Sequence, residues 1–198
     1  MLRHYVLMIL TCACAGSVFA QSRPVDMRIA IARPFPLGTF RSTEYGDTNP
    51  GFGAGLLVGY AVTSRFRIGG EISVYQLNDP RQPEDWGVVL VPLTLGVRYR
   101  VMEFQKMHFY TSLAGGLLHE AVTLPGDVDP KYGTFAVPIF SFGGGLQYPL
   151  ADHASVDIAV NYNHAKSDGK DAVIEGDKTR ISYATNYVNV TVGLDFSL

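Results

Sequence analysis

The chain has 198 residues, of which 47% are hydrophobic, 12% aromatic and 17% charged, and its mean hydropathy is +0.11; this is material for one sizeable core and greasier than an ordinary soluble domain. A formal net charge of -2, with no Lys/Arg cluster beyond what a surface loop carries, excludes nucleic acid as a partner.

In chain order, residues 1–20 come first: Arg3 in a short leading region, an apolar stretch from Tyr5 to about Ala15, and Val18-Phe19-Ala20 as a small-residue cleavage site before Gln21. This reads as a secretory signal, with 21–198 as one mature domain. Cys12 and Cys14 both lie inside the signal, which leaves the mature chain without thiol, disulfide or Cys-metal chemistry. A competing reading makes Cys14 a lipidated cysteine, against which stands Thr11 where such sites usually carry Leu.

No mature segment approaches the roughly 20 apolar residues of a spanning helix, and the longest run, GVVLVPLTLGV, contains Pro92. Period-2 alternation recurs instead, predicting strands over 26–33, 52–62, 66–77, 87–101, 107–119, 134–148, 154–164 and 180–196. Between them long and short connections take turns, from PFPLGTFRSTEYGDTNPG and TSR to PLAD and AKSDGKDAVIEGDKT. An up-and-down antiparallel barrel with both termini at one rim produces that asymmetry.

Each strand has two unlike faces. In the fourth, Val89, Val91, Leu93, Leu95, Val97 and Tyr99 oppose Leu90, Pro92, Thr94, Gly96, Arg98 and Arg100. A soluble barrel would carry long Lys and Glu side chains on its polar exterior. Here all five lysines are expected in connections, and Glu71 is the only Glu assigned to a strand. Small polar residues suit a narrow lumen, and the lysine-free apolar face suits hydrocarbon, where Lys or Arg at mid-depth costs about 2 to 4 kcal/mol. Tyr60, Phe66, Tyr99, Phe109, Tyr148 and Phe196 fall beside the short turns, as an interfacial girdle would. The expected fold is therefore all-β, an eight-stranded antiparallel up-and-down transmembrane β-barrel.

With VPLTLGVRYR, HFYTSLAGGLL and FSFGGGLQYPLADHASVDIAVNYN in place, the chain resembles the small bacterial outer-membrane β-barrel proteins of the OmpA-like, OmpX-like and opacity-protein group. The resemblance implies export to the periplasm, residence in the cell outer membrane and contact with its lipid and lipopolysaccharide. It also implies recognition by the outer-membrane insertion machinery through the last strand, whose Val188, Val190, Val192, Leu194, Phe196 and Leu198 alternate with polar residues; Ser197-Leu198 departs from the usual final aromatic. No residues follow the eighth strand, so the peptidoglycan-binding domain of full-length OmpA-type proteins is not expected.

The inward face concentrates Arg28, Arg67, Glu71, Arg98, Arg100, Asp157 and Asp195. Enclosed charges of both signs must pair, so these predict an Arg-carboxylate network that plugs the periplasmic half of the lumen, with an ion path along the same groups as the alternative. Gly53, Gly55, Gly59, Gly143 and Gly145 also point inward and make room for long neighbours; no phosphate-loop context surrounds them. The histidines form no ligand pattern, and neither a cofactor nor a metal is expected. Asp168, Asp171, Glu175 and Asp177 lack Ca²⁺-loop spacing and read as a solvated loop.

His164, at the outer rim near Ser167 and Asp168, raises the possibility of a lipid A acyl-ester hydrolase. Outer-membrane deacylases place Ser two residues after His, followed by Asn; here it follows by three and Asp comes next, and His153-Ala154-Ser155 lies on the wrong rim. The leading expectation is a structural or surface-interaction protein acting through four outer loops, with no catalysis and an unnamed surface ligand. A narrow channel or small hydrophobic-solute conduit is the alternative.

Overall fold

The computed structural model of the chain describes residues 25–38, 42–43, 46–47, 49–78, 87–123, 135–174 and 177–198. The expected signal, the Cys14 alternative and most of the long connections lie outside the described residues.

Alternating sequence becomes strand almost throughout. The elements are β1 (Val25–Leu37), β2 (Ser42–Thr43), β3 (Gly46–Asp47), β4 (Phe52–Ala61), β5 (Phe66–Asn78), β6 (Gly87–Phe104), β7 (Met107–Thr123), β8 (Phe135–Ala151), β9 (Ala154–Ile174) and β10 (Asp177–Ser197). β2 and β3 form a separate two-stranded piece, while the other eight close one antiparallel barrel in the order β1-β10-β9-β8-β7-β6-β5-β4. Chain neighbours pair throughout, and only the β1–β10 seam joins distant parts of the sequence.

That seam accounts for a C-terminus patterned to its end. β10 pairs with β1 from Asp26↔Ser197 to Leu37↔Asn186, and the Leu198 amide donates to the Val25 carbonyl at 2.8 Å. An unpaired edge would leave backbone groups unsatisfied in an apolar medium, so the last residues are held in the ladder.

The start of β1, the end of β10 and the short turns at 62–65, 105–106 and 152–153 lie at one rim, here called the terminus rim; the opposite strand ends form the loop rim. Gln105, in the two-residue turn between β6 and β7, takes a left-handed conformation with φ of 55°, as tight hairpin turns require.

The wall is greasy outside. Leu95 is 76% exposed and Ile31 71%, and Leu93, Leu117, Phe142 and Val160 line the same outward face. Exposure on this scale is tolerated only in an apolar surrounding. Val188, Val190, Val192, Leu194 and Phe196 likewise alternate with buried Asn189, Thr191, Gly193 and Asp195.

Strand lengths correct the expected connections. The stretch predicted as a long loop, AKSDGKDAVIEGDKT, is hairpin on both sides of 175–176, with Asp177↔Ile174 to Arg180↔Asp171 paired. Lys166, Lys170 and Lys178 therefore lie in strands rather than connections. The geometry reconciles them with an apolar wall: 21-residue strands tilted about 40° rise about 50 Å, roughly twice an apolar band about 25 Å tall. The hairpin stands well clear of the band, where charge costs little. Glu103 and Glu120 also prove to be strand residues, in β6 and β7.

Candidate functional site

The interior is divided into two layers. Toward the loop rim, inward positions of seven strands bring together Ala32, Tyr75, Leu77, Leu90, Leu118, Val137, Ile139, Ala165 and Tyr187. Tyr75 and Tyr187 meet edge to face with centroids 5.8 Å apart, and Leu77, Leu90, Leu118 and Tyr187 are fully buried. Small polar residues were expected to line the lumen, and this half is instead an apolar seal. An eight-stranded barrel is narrow enough for side chains to fill. Among the described residues one charge enters this layer, Glu120, which accepts hydrogen bonds from Thr185 Oγ1 at 3.2 and 3.4 Å.

Toward the terminus rim the interior is ionic. β1 carries Arg28 inward, where Nη1 donates to Asp157 Oδ1 at 2.6 Å and Nη2 to Glu71 Oε2 at 3.0 Å. Asp157, with no exposed surface, also accepts from Tyr110 Oη at 2.7 and 2.9 Å and stands 3.6 Å from Arg98 Nη1. Arg98 lies over the Tyr110 ring at 4.7 Å from its centroid. Glu71 takes a further hydrogen bond from Ser73 at 3.0 Å. Each charge in this low-dielectric space is met by partners, the condition for burying it at all.

Of the charges singled out in the sequence, Arg28, Glu71, Arg98 and Asp157 form this one cluster. Arg67 joins a neighbouring pair, 3.0 Å from Asp26 Oδ2, while Asp26 Oδ1 accepts from Ser197 Oγ at 2.9 Å. Asp195 is bound by Gln147 Nε2 at 3.2 Å rather than by an arginine. Arg100 stands apart at the rim, with Glu103 of its own strand 3.8 Å away. Asp26, Tyr110 and Gln147 were not identified from sequence. Each shares the inward parity of its strand, but nothing in a single strand shows which distant side chain it meets.

Beneath the apolar layer, and reaching into the ionic one, lies a cavity of about 70 Å³ bordered by Arg28, Glu71, Tyr75, Arg98, Asn161 and Asn189, room for several waters. Its upper boundary is a polar chain: Asn163 donates to Asn189 at 3.0 Å, and Asn189 to Tyr75 Oη at 2.9 Å. Register creates the space by aligning Gly59, Gly69, Gly96, Ala114 and Ser141 around the wall. At Gly96 a Cβ would stand 2.6 Å from both Ala114 Cβ and the Leu113 carbonyl oxygen, so the wall admits no side chain there.

Outside the lumen, His164 sits on the lipid-facing side of β9. Its Nδ1 is 2.6 Å from Asn186 Oδ1, which also accepts from Tyr162 Oη at 3.2 Å. The side chains of Ser167, Asp168 and Asp171 lie outside the described residues. Among the described residues no group of three or more His, Cys, Asp or Glu could hold a metal ion.

The chain matches the model of the outer membrane protein beta-barrel domain over residues 6–196. Its fold is similar to that of Neisserial surface protein A (TM-score 0.59, 15% identity, covering 87% of this chain and 95% of that one). It is also similar to the outer membrane protein OprG from Pseudomonas aeruginosa (TM-score 0.58, 15% identity, 90% and 97% covered). A third similar structure is Ail, the attachment invasion locus protein of Yersinia pestis (TM-score 0.53, 13% identity, 90% and 100% covered). No curated protein sequence matches.

Proposed function

The chain belongs to the outer membrane protein beta-barrel domain family, and from that premise we propose that it works as a closed barrel, through its outer surface rather than through a pore. The observation that carries this reading is the doubly sealed lumen: an apolar layer toward the loop rim and an ionic layer toward the terminus rim. A solute entering from either side meets a layer of the wrong chemistry before it reaches the other. The terminus rim then faces the periplasm, and the projecting β9–β10 hairpin faces outward, with lipopolysaccharide and a surface ligand as its partners. Delivery by the insertion machinery through β10, after signal-directed export, belongs to the same proposal.

Single-channel recording in planar bilayers tests it. No stable openings are expected; stable openings abolished by changing Arg98 and Arg100 would overturn the closed-lumen reading. No catalysis is part of the proposal, and lipid A from cells making the protein is expected to keep its acylation by mass spectrometry.

One observation favours a second reading. The lumen's loop-side layer is lined by Leu77, Leu90, Leu118, Val137 and Ile139, surface suited to a small hydrophobic solute. Uptake of such a solute that depends on the protein and is lost in Leu118→Trp would establish the conduit in place of the closed barrel.

A further inference from the structure

The terminus rim carries a second, smaller cavity, lined by Arg65, Arg67, Arg98, Arg100, His108 and Gln147, with Ser64 and Tyr110 completing it. Four guanidinium groups and an imidazole border one space, and no carboxylate lines it. The carboxylates that neutralise these arginines sit deeper or farther out. Asp26 holds Arg67 from inside. Asp157 is taken first by Arg28 at 2.6 Å, with Arg98 at 3.6 Å. Glu103, 56% exposed, lies 3.8 Å from Arg100 and 3.4 Å from His108. Among the described residues Arg65 pairs with no carboxylate.

The backbone enforces the crowding. Arg67 and Arg98 are direct partners across β5 and β6, an arrangement of like charges that costs stability in any sheet. The Arg100 amide donates to the Arg65 carbonyl at 2.8 Å, and the turn that carries Arg65 is pinned by Thr63 Oγ1, which accepts from the Arg65 and Phe66 amides at 3.2 and 3.0 Å. The arginines are thus held together by strand register rather than free to separate. An oxyanion placed among them would offset that repulsion, and the fork of N–H donors on Arg matches phosphate oxygens.

We propose that this mouth is an anion site that takes one phosphate group, with Arg65 and Arg100 as its main ligands and Arg98, already braced by Tyr110, behind them. The phosphate comes either from a soluble periplasmic solute or from a lipid headgroup at the rim; the chemistry is the same.

The test uses the full barrel in nanodiscs. Equilibrium dialysis against radiolabelled inorganic phosphate at constant ionic strength is expected to give saturable binding of one phosphate per barrel. Arg65→Gln with Arg100→Gln is expected to weaken it at least tenfold, and the corresponding double lysine variant less, because charge survives without the fork. Heat-modifiable gel migration confirms that each variant is folded, since neither residue belongs to the buried cluster around Asp157. Equal phosphate binding in zwitterionic and phosphatidylglycerol discs supports the site with a soluble ligand. Phosphate binding seen in zwitterionic discs and lost in phosphatidylglycerol discs supports it with a lipid ligand occupying the same site. No saturable binding by the wild type in zwitterionic discs, or binding undiminished in a folded double glutamine variant, overturns it.

Discussion

Replacing Asp157 with alanine tests the ionic layer at its centre. Asp157 has no exposed surface and accepts from Arg28 at 2.6 Å and from Tyr110 at 2.7 and 2.9 Å, with Arg98 at 3.6 Å. Its loss leaves the Arg28 guanidinium, 3% exposed, with Glu71 alone, and leaves the Tyr110 hydroxyl unpaired. Breaking a buried ion pair from one side costs about 3 to 5 kcal/mol, and a stranded buried hydroxyl about 1 to 3 kcal/mol. The two losses share one network and do not add. A destabilisation of about 4 kcal/mol follows, on the order of 10³-fold in the folding equilibrium. Asp157→Asn keeps the shape and an acceptor for Tyr110 and is expected to lose about half as much. The double change Arg28→Met with Asp157→Leu removes both charges and is expected to cost less than Asp157→Ala alone. Urea unfolding in phospholipid vesicles, followed by gel migration, measures all three. Asp157→Ala within about 1 kcal/mol of wild type would refute the reasoning, because it would mean that water screens the network.

Leu95→Arg, placed on the outward face at 76% exposure, is expected to cost about 2 to 4 kcal/mol in vesicles; a neutral result would contradict a lipid-facing wall. Leu118→Ala, fully buried in the loop-side layer, is expected to cost about 2 to 5 kcal/mol in the same assay, with conductance still absent because the ionic layer remains. Gly116→Ala would press its new methyl onto the Leu93 carbonyl of the paired strand and is expected to destabilise by about 1 to 3 kcal/mol; an unchanged urea midpoint would show that the wall yields there. His164→Ala removes a rim hydrogen bond to Asn186 and is expected to cost under about 1 kcal/mol, with lipid A acylation unchanged by mass spectrometry.

The ionic cluster was legible only as a set. Alternation put Arg28, Glu71, Arg98 and Asp157 on one face because period 2 is a local property of strands. It said nothing of Asp195 meeting Gln147, or of Arg100 falling back on Glu103, because those outcomes depend on how far each strand is shifted against its neighbours. The apolar loop-side layer escaped for a related reason. Leu77, Leu90, Leu118 and Val137 come from four strands, and each strand adds only one or two residues to the layer. Only when register brings them to one height do they become a layer. The β9–β10 extension escaped because AKSDGKDAVIEGDKT has the composition of a loop, and its pairing comes from continuing a ladder already begun.

The sequence by itself determined the number of barrel strands, the two faces of each, the short turns at the terminus rim and the need for β10 to close on β1. These follow from side-chain periodicity and from the requirement that no backbone edge be left unpaired in hydrocarbon. Only the tertiary structure decided which charges pair, where the lumen is apolar, where the cavity lies and that four arginines share one mouth. Arg28 and Asp157 lie 129 residues apart in sequence. Their contact exists because eight registers accumulate around a closed wall, and no segment read alone contains that sum.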